Sequence, residues 1–345
     1  MGLWSEPSSQ NPTPHRRHFG PELPYPPRGT SEDHIELRRP VSALREPVVS
    51  ACVESGCDYL DICGEPEFME RMEASYHEKA VEKGSLVISA CGFDSVPAEI
   101  GLLFHSRHWA GPSAPNRVEA YLSLESDKKL VGNFGTYESA VLGVANSNKL
   151  VELRRSRPKR ARPAIPGPAP PKGSIIEHQK QLDLWGLKLP SADSIVVQER
   201  WQLSQKIPMA YPVLMKVSKT LKRGKPSGHL LGTFRKEGPS EDEVASATFK
   251  MWFVGQGFSD SSVASQGKKK PDTEVITRVM GPEIGYLTTP IILVQCALVV
   301  LNDRDNLPKG GVFTPGIVFG PTDLEKRLQE NGISFDFISK KALST

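Results

Sequence analysis

The stretch that decides the fold is residues 85–95, SLVISACGFDS. Its first seven residues are mostly apolar, which predicts a strand covered by other elements on both faces. A turn at 92–95 follows directly, and Pro97 then suits the first turn of a helix that we expect to reach residue 104. A strand, a glycine turn and a helix in this order are typical of a parallel α/β sheet.

The segments before this stretch repeat the same order. Residues 57–63, CDYLDIC, predict a short strand, which follows a helix expected at 47–55. Residues 68–83 predict an amphipathic helix, because their large apolar side chains recur four residues apart, and Gly84 suits its left-handed end. We therefore predict an incomplete Rossmann-like parallel sheet in residues 44–110.

The remainder, residues 111–345, predicts a second α+β domain with a mixed or antiparallel sheet. Residues 1–43 are polar and rich in proline, so we expect them to be disordered. A basic, proline-rich linker is predicted at 154–172 and a weakly ordered insert at 198–236. Further elements are expected at 118–125, 248–254 and 274–280 (strands), 135–142 (a strand or a strand followed by a helix), 291–301 (a buried core helix) and 333–337 (a last strand).

Composition and spacing exclude several functional classes. The formal net charge is +3, which argues against a nucleic-acid partner. Five cysteines without C-x-x-C spacing predict neither a disulfide framework nor a metal site, and no hydrolase motif of the H-E-x-x-H or G-x-S-x-G type occurs. No apolar run predicts a transmembrane helix, and no secretory signal is visible. We therefore expect a metal-free intracellular protein.

The turn at 92–95 holds the candidate site residues. Ligands of α/β proteins bind at the carboxyl edge of the parallel sheet, where backbone amides and short polar side chains meet them. Asp94 and Ser95 are therefore the candidate catalytic residues, and Gly92 and Phe93 are the candidate cofactor-binding residues. The alternative is that Asp94 or Ser95 only caps the following helix.

Two further groups of charged residues need an interpretation. The carboxylates of Glu65 and Glu67 follow the preceding strand and are candidates to face a ribose or a substrate; alternatively, they only complement the helix dipole. The segment Arg154–Arg162 contains six basic residues, which predict contact with anionic membrane lipid. Its alternative interpretation is a solvated, flexible linker.

Several consecutive strings resemble the saccharopine dehydrogenase-like oxidoreductase family, in its plant branch. They are VVSACVESGCDYLDICGEPEF (48–68), ACGFDSVPAEIG (90–101), GPEIGYLTTPI (281–291) and LPKGGVFTPGIVFG (307–320). The resemblance implies a Rossmann domain, a second α+β domain and NAD(P)-dependent redox activity. It also implies links to mitochondria, lipid droplets, membranes and lipid or glycolipid metabolism. The alternative is a non-catalytic interaction protein associated with a membrane or a lipid droplet.

This chain departs from the family pattern at its beginning. Family members start with a strand and a glycine-rich turn, G-x-[ST]-G-F-[TS]-G, that holds the cofactor pyrophosphate, and the first 45 residues contain no such turn. We therefore expect NAD(P) binding to be impaired. A parallel sheet without its first strands also has an open edge, which predicts a homo- or hetero-oligomer that covers it.

Overall fold

The structure is a computed structural model that describes residues 41–109, 111–158, 166–170, 175–187, 213–219, 233–264 and 270–343. The predictions of disorder at 1–43 and of a weakly ordered insert at 198–236 fall mostly outside these residues. Residues 41–43 are described and begin a helix, so the prediction of disorder is wrong there. Part of the predicted linker, including Lys159, Arg160 and Arg162, also lies outside them.

Helices and strands alternate through the first part of the chain. In order, they are α1 (Val41–Ser55), β1 (Tyr59–Leu60), α2 (Pro66–Lys83), β2 (Leu86–Ile88), α3 (Val96–Arg107), β3 (Ala114–Ser126), β4 (Val131–Asn133), α4 (Phe134–Ala145), α5 (Ser147–Ser156), β5 (Ile176–Gln179) and β6 (Leu184–Leu187).

Strands dominate the second part. It contains β7 (Val213–Lys219), β8 (Thr233–Arg235), α6 (Glu241–Ser246), β9 (Ala247–Phe258), α7 (Ser261–Ala264), β10 (Thr273–Pro282), α8 (Thr289–Asp303), β11 (Gly311–Phe313), α9 (Pro315–Phe319), α10 (Leu324–Glu330) and β12 (Ser334–Ala342). A π-helical turn, Ile284–Thr288, leads directly into α8.

A small parallel sheet has the strand order β1-β2-β11. Val87 packs against α1 and α2 on one face, whereas Leu86 and Ile88 pack against α3 and α8 on the other. Burial on both faces explains why β2 is apolar throughout. Because β11 comes from beyond residue 300, the two regions predicted from the sequence share this sheet.

The larger sheet has seven strands in the order β12-β10-β9-β3-β7-β6-β5. Its pairs are antiparallel except for β3 with β7, so the sheet is mixed. Helix α3 lies between the two sheets and shares one core with both of them. The predicted fold class, an α/β chain with a parallel sheet and a second, mixed sheet, is confirmed.

Two elements differ from the prediction. Residues 135–142 belong to helix α4, because their apolar side chains recur with a helical period and Asn133 caps the helix by accepting a hydrogen bond from Gly135 N at 2.8 Å. The predicted linker begins inside α5, where Arg154 pairs with Glu70. Arg157, just after α5, pairs with Glu73, so the start of the basic segment is held against α2.

Helix α8 is a core helix on one face only. Ile292, Cys296 and Val299 are fully buried, as expected, but Val294 is 53% exposed and Leu301 is 77% exposed. The helical span Ile284–Asn306 is long and apolar enough to cross a membrane by length and composition. It contains an 18-residue stretch with a mean hydropathy of 2.1, of which 28% is buried inside the protein. The sequence-based expectation of no membrane span rests only on the run at 291–301. The π-helical turn lengthens this apolar segment, so the helix reaches a membrane-spanning length and composition.

Gly101 allows α3 to approach the larger sheet closely. A Cβ atom at this position would lie 2.7 Å from the Phe253 ring and 2.8 Å from Val279. We expect Gly101→Ala to lower the free energy of unfolding by about 1–3 kcal/mol through overpacking, measured by urea denaturation. Gly143→Ala on α4 is the control, because a Cβ there meets nothing within 4 Å. Equal stability of G101A and G143A would contradict this close packing.

Candidate functional site

Three segments meet at the carboxyl edge of the parallel sheet. Residues 61–65 follow β1, residues 89–95 follow β2 and residues 314–316 follow β11. Because all three strands run in the same direction, their ends lie side by side at this edge. The candidate residues Gly92, Phe93, Asp94 and Ser95 therefore lie where the sequence predicts, in the turn after the middle strand.

Asp61 holds the first two segments together. Its Oδ1 accepts hydrogen bonds from Cys63 N at 2.9 Å and from Ala90 N at 3.0 Å, and its Oδ2 accepts one from the Tyr59 hydroxyl at 2.9 Å. Burial, together with the charge of Asp61, raises the pKa of Tyr59. Ala90 has a φ of +63°, a left-handed conformation that is strained for a non-glycine residue and that occurs often at functional sites.

The turn at 92–95 uses its backbone amides within the protein. Phe93 N donates to Thr289 Oγ1 at 3.3 Å, whereas Ser95 N and Val96 N donate to the Gly92 carbonyl oxygen. A Cβ on Gly92 would lie 3.2 Å from Thr289. Gly92 and Phe93 thus fix the turn to the start of α8, and the amides of Phe93, Ser95 and Val96 already have acceptors within the protein.

Ser95 and Asp94 have different surroundings. Ser95 is fully buried and donates through Oγ to Glu99 at 3.0 Å, so its side chain does not cap α3. The structure shows no side-chain cap on α3 from Asp94 either, so the alternative that one of these residues caps the helix is wrong. The Asp94 side chain is exposed to solvent, and its Oδ2 lies close to Gly64. Desolvation by the atoms around the carboxyl group raises its pKa.

Glu99 is a site residue that the sequence analysis did not identify. It is fully buried and accepts hydrogen bonds from Ser95 Oγ, from Thr314 Oγ1 at 2.7 Å and from Gly316 N at 2.9 Å. This carboxylate therefore joins the end of β2 to the end of β11. The available signal was a lone acidic residue in an otherwise apolar helix, since such a charge is buried only when it has partners.

Two contacts join the loop after β1 to its neighbours. Gly64 lies close to Asp94, since a Cβ added to Gly64 would be 2.9 Å from Asp94 Oδ2. Gly92 lies close to Ile62, since a Cβ added to Gly92 would be 3.3 Å from the Ile62 side chain. On the other side, Ser139 Oγ of α4 donates to Glu65 Oε1 at 3.1 Å. The loop at 61–65 is therefore held between the turn at 92–95 and helix α4.

A further contact joins α4 to the π-helical turn. Asn133 Nδ2 donates to the Tyr286 hydroxyl at 2.8 Å, and Thr289 next to this turn binds Phe93. Residues 61–65, 92–95, 133–139 and 286–289 thus form a closed ring of contacts, which we call the edge site. Its exposed side chains include Ile62, Asp94 and Tyr286, so it offers two apolar surfaces and one carboxyl group of raised pKa.

A surface depression lies away from the edge site. This cavity of about 310 Å³ is located between α3, α9 and α10, and its lining includes Arg107, Phe319 and Glu325. Arg107 and Glu325 pair with each other across it. Because these two opposite charges neutralise each other, the edge site is the stronger candidate for a catalytic site.

The residues at the carboxyl edge do not fit the pyrophosphate of a dinucleotide. The segments 61–65, 89–95 and 314–316 contain three acidic residues and no lysine or arginine. A pyrophosphate requires backbone amides at a helix start or basic side chains, and carboxylates repel it. The amides of Phe93, Ser95 and Val96 are already bonded within the protein, so the turn at 92–95 does not offer these three amides to the phosphates.

Metal ligands are also not grouped at this site. Among the described residues, no cluster of three or more histidine, cysteine, aspartate or glutamate side chains is placed to hold a metal ion. All five cysteines are free thiols, and burial raises the pKa of Cys63 to about 12.

Comparison with known proteins identifies the family. The chain is 55% identical to a probable mitochondrial saccharopine dehydrogenase-like oxidoreductase of Arabidopsis thaliana over 86% of its own length and 76% of the relative. It is 29% identical to a lipid droplet localized protein of Caenorhabditis elegans over 87% and 78% of the two chains. An apo saccharopine dehydrogenase (L-Glu forming) from Saccharomyces cerevisiae is 11% identical, with a TM-score of 0.45 over 88% of this chain and 83% of that one. No family model matches. At this level of identity to the Arabidopsis protein, the chain belongs to the saccharopine dehydrogenase-like oxidoreductases.

Proposed function

We propose that this chain supplies the substrate-binding half of a saccharopine dehydrogenase-like oxidoreductase, and that its own binding of NAD(P) is impaired. The observation that carries the proposal is the edge site. Its closed ring of contacts fixes four segments around the ends of the parallel strands, where α/β enzymes bind their substrates. The same edge lacks a cradle for the cofactor phosphates in the described residues.

Asp94 is the candidate acid of this site. Its side chain is exposed, and its raised pKa allows the carboxyl group to keep a proton at a higher pH than an ordinary aspartate does. Ser95 is buried against Glu99 and is therefore a positioning residue for the turn rather than a catalytic residue. The apolar side chains of Ile62 and Tyr286 favour a substrate with an apolar part, as in lipid or glycolipid metabolism.

If the complete enzyme uses NAD(P), the phosphates must be held by polypeptide other than the described edge segments. Among the described strands, β1 is at one end of the parallel sheet, so its outer side can pair with a further strand. A homo- or hetero-oligomer that adds such a strand would complete the nucleotide site. The proposal therefore predicts that the isolated chain binds NAD(P) only weakly, and the affinity of the isolated chain for NAD(P) tests it.

The experiment is a titration of the purified chain with NADPH and NADH, followed by nicotinamide fluorescence and thermal shift. We expect no saturable binding below about 1 mM, because the acidic edge disfavours the phosphates. Saturable micromolar binding by the monomeric chain would contradict the proposal. Circular dichroism on the same sample must show a folded chain.

A second candidate function is association with a lipid surface. Leu287, Ile291, Val294, Leu298 and Leu301 recur along the outer side of the π-helical turn and α8 with a helical period, and four of these five side chains are exposed. The relative from Caenorhabditis elegans carries a name that places it on lipid droplets. We propose that this apolar stripe contacts a lipid droplet or a mitochondrial membrane.

The stripe is a stronger lipid-binding candidate than the basic segment Arg154–Arg162. Arg154 and Arg157 are paired with Glu70 and Glu73, so part of their charge is neutralised within the protein. Anionic lipid remains a proposed partner for this segment as a whole. The apolar stripe needs no anionic lipid, because it acts through buried hydrocarbon surface.

Introducing charge into the stripe tests this candidate. We expect the double variant Val294→Asp/Leu298→Asp to reduce flotation with phosphatidylcholine-coated triacylglycerol droplets by about tenfold or more. Val151→Asp is the matched control, because Val151 is a similarly exposed valine on α5. An equal loss of flotation in V151D, or none in the double variant, would show that the stripe does not bind lipid.

A further inference from the structure

Glu65 is a buried carboxylate with an incomplete set of partners. It directly precedes α2 and is 2% exposed. Its Oε1 accepts a hydrogen bond from Ser139 Oγ at 3.1 Å and lies 3.8 Å from Arg45 Nη1, which is too far for a hydrogen bond. Within the described part of the chain, both Glu65 Oε2 and Arg45 Nη1 are buried without a hydrogen-bond partner.

A third buried polar atom without a hydrogen-bond partner in the described residues lies at the end of β2. Ser89 is 2% exposed, and its Oγ has no partner in the described residues. The following residue, Ala90, packs against Met69, whose amide donates to the Glu65 carbonyl oxygen at 3.1 Å. The end of β2 and the start of α2 are therefore in contact.

Arg45 and Glu65 attract each other as an ion pair at 3.8 Å, but among the described residues this contact leaves Glu65 Oε2 and Arg45 Nη1 without a hydrogen bond. An unpaired buried donor or acceptor loses its bonds to water without compensation, and a charged group loses more than a neutral one. The amino end of helix α2 favours the negative charge of Glu65, but Pro66 at its first position has no N–H to offer. Since three such atoms occur at one edge of the sheet, they indicate a place built to hold a ligand.

The two charges determine which ligand chemistry fits. A cation would be repelled by Arg45, and an anion would be repelled by Glu65. A hydroxyl group satisfies both, because it donates its hydrogen to Glu65 Oε2 while its oxygen accepts from Arg45 Nη1. A second hydroxyl can bond to Ser89 Oγ, which both donates and accepts.

We propose that Arg45, Glu65 and Ser89 form a binding site for a neutral polyhydroxyl group. Two sources share this chemistry: the ribose of a nucleoside and the sugar headgroup of a glycolipid. The site lies beside the edge site, since Ser139 and the loop at 61–65 belong to both. The proposal rests on these side chains and does not require the redox function or the binding of NAD(P).

The experiment measures binding of two uncharged probes to the full chain by saturation-transfer NMR. Adenosine represents the nucleoside source and octyl β-D-galactopyranoside the glycolipid source; 2′,3′-dideoxyadenosine and 1-octanol are the matched probes without these hydroxyl groups. We expect one of the two hydroxylated probes to bind at about 10 mM or below, and its matched probe to bind at least about tenfold more weakly. The probe that binds identifies the source.

Variants then locate the binding. Glu65→Gln removes the charge and keeps the shape, and we expect it to weaken binding by about tenfold. Glu67→Gln is the control, because Glu67 lies two residues after Glu65 and is paired with Arg71 four residues further along α2. Thermal melts of both variants report whether they fold. If neither probe binds to the wild-type chain, or if E65Q folds and binds as tightly as E67Q, the proposal is wrong.

Discussion

Replacing Glu99 by alanine is expected to lower the free energy of unfolding by about 3–5 kcal/mol. The carboxylate is fully buried and accepts hydrogen bonds from Ser95, Thr314 and Gly316. Its removal leaves these three donors without their acceptor inside the protein. It also leaves a cavity between the ends of β2 and β11, so packing is lost together with the hydrogen bonds.

Chemical denaturation followed by tryptophan fluorescence measures this effect. Glu99→Gln keeps one acceptor oxygen in place, and we expect an intermediate loss of stability. Glu330→Ala on α10 is the control, because Glu330 is exposed and has only a long contact of 3.7 Å with Lys326. A loss of less than about 1 kcal/mol in E99A would show that Glu99 does not join the two strand ends.

The position of the candidate site could be predicted from the sequence because its determinants are local. The apolar run at 85–91 predicted a strand that is covered on both faces. Gly84, whose φ is +69°, marked the end of the preceding helix. Together they placed the turn at 92–95 at the carboxyl edge of a parallel sheet. Residues 57–63 and 68–83 supported the same order through their own periodicity.

The chemistry of this turn could not be predicted, because it depends on contacts from distant parts of the chain. The amide of Phe93 is bonded to Thr289, and the buried Ser95 is bonded to a carboxylate that also reaches Thr314. Neither partner follows from the turn sequence. A local pattern of glycine, aspartate and serine is the same whether the turn holds a ligand or holds its neighbours.

Helix α8 also has one property that the sequence predicts and one that it does not. The run at 291–301 correctly predicted a helix, but composition cannot distinguish a face that packs on a sheet from one that does not. Cys296 and Leu298 are both apolar, yet Cys296 is fully buried and Leu298 is exposed. Which face is covered depends on where α3 and α10 pack, and this is a property of the tertiary fold.

Acidification should destabilise the protein through His105. Its ring is fully buried between α3 and the larger sheet: Trp109 Nε1 donates to Nε2 at 3.1 Å, so the ring proton is on Nδ1 and is donated to Thr277 Oγ1 at 2.9 Å. Both nitrogens are therefore used by the neutral ring, and a second proton would displace Trp109. Burial, with a smaller effect of His108, lowers the pKa of His105 to about 3.

The direction of the pH effect follows from this pKa. In the unfolded chain the histidine binds a proton below pH about 6.5, whereas in the folded chain it stays neutral down to about pH 3. Between these values the unfolded state binds more protons, so stability is complete above pH 6.5 and decreases by about 1.4 kcal/mol for each unit of acidification. At pH 5 the loss from this one residue amounts to about 2 kcal/mol.

Urea denaturation of the wild-type chain and of His105→Gln between pH 5 and 7.5 tests this expectation. The variant loses stability at pH 7.5, because glutamine cannot reproduce both hydrogen bonds, but its stability should change less with pH. The two curves must therefore approach each other as the pH falls. Parallel curves for wild type and H105Q would show that His105 is not the neutral, fully bonded ring that the fold requires between Thr277 and Trp109.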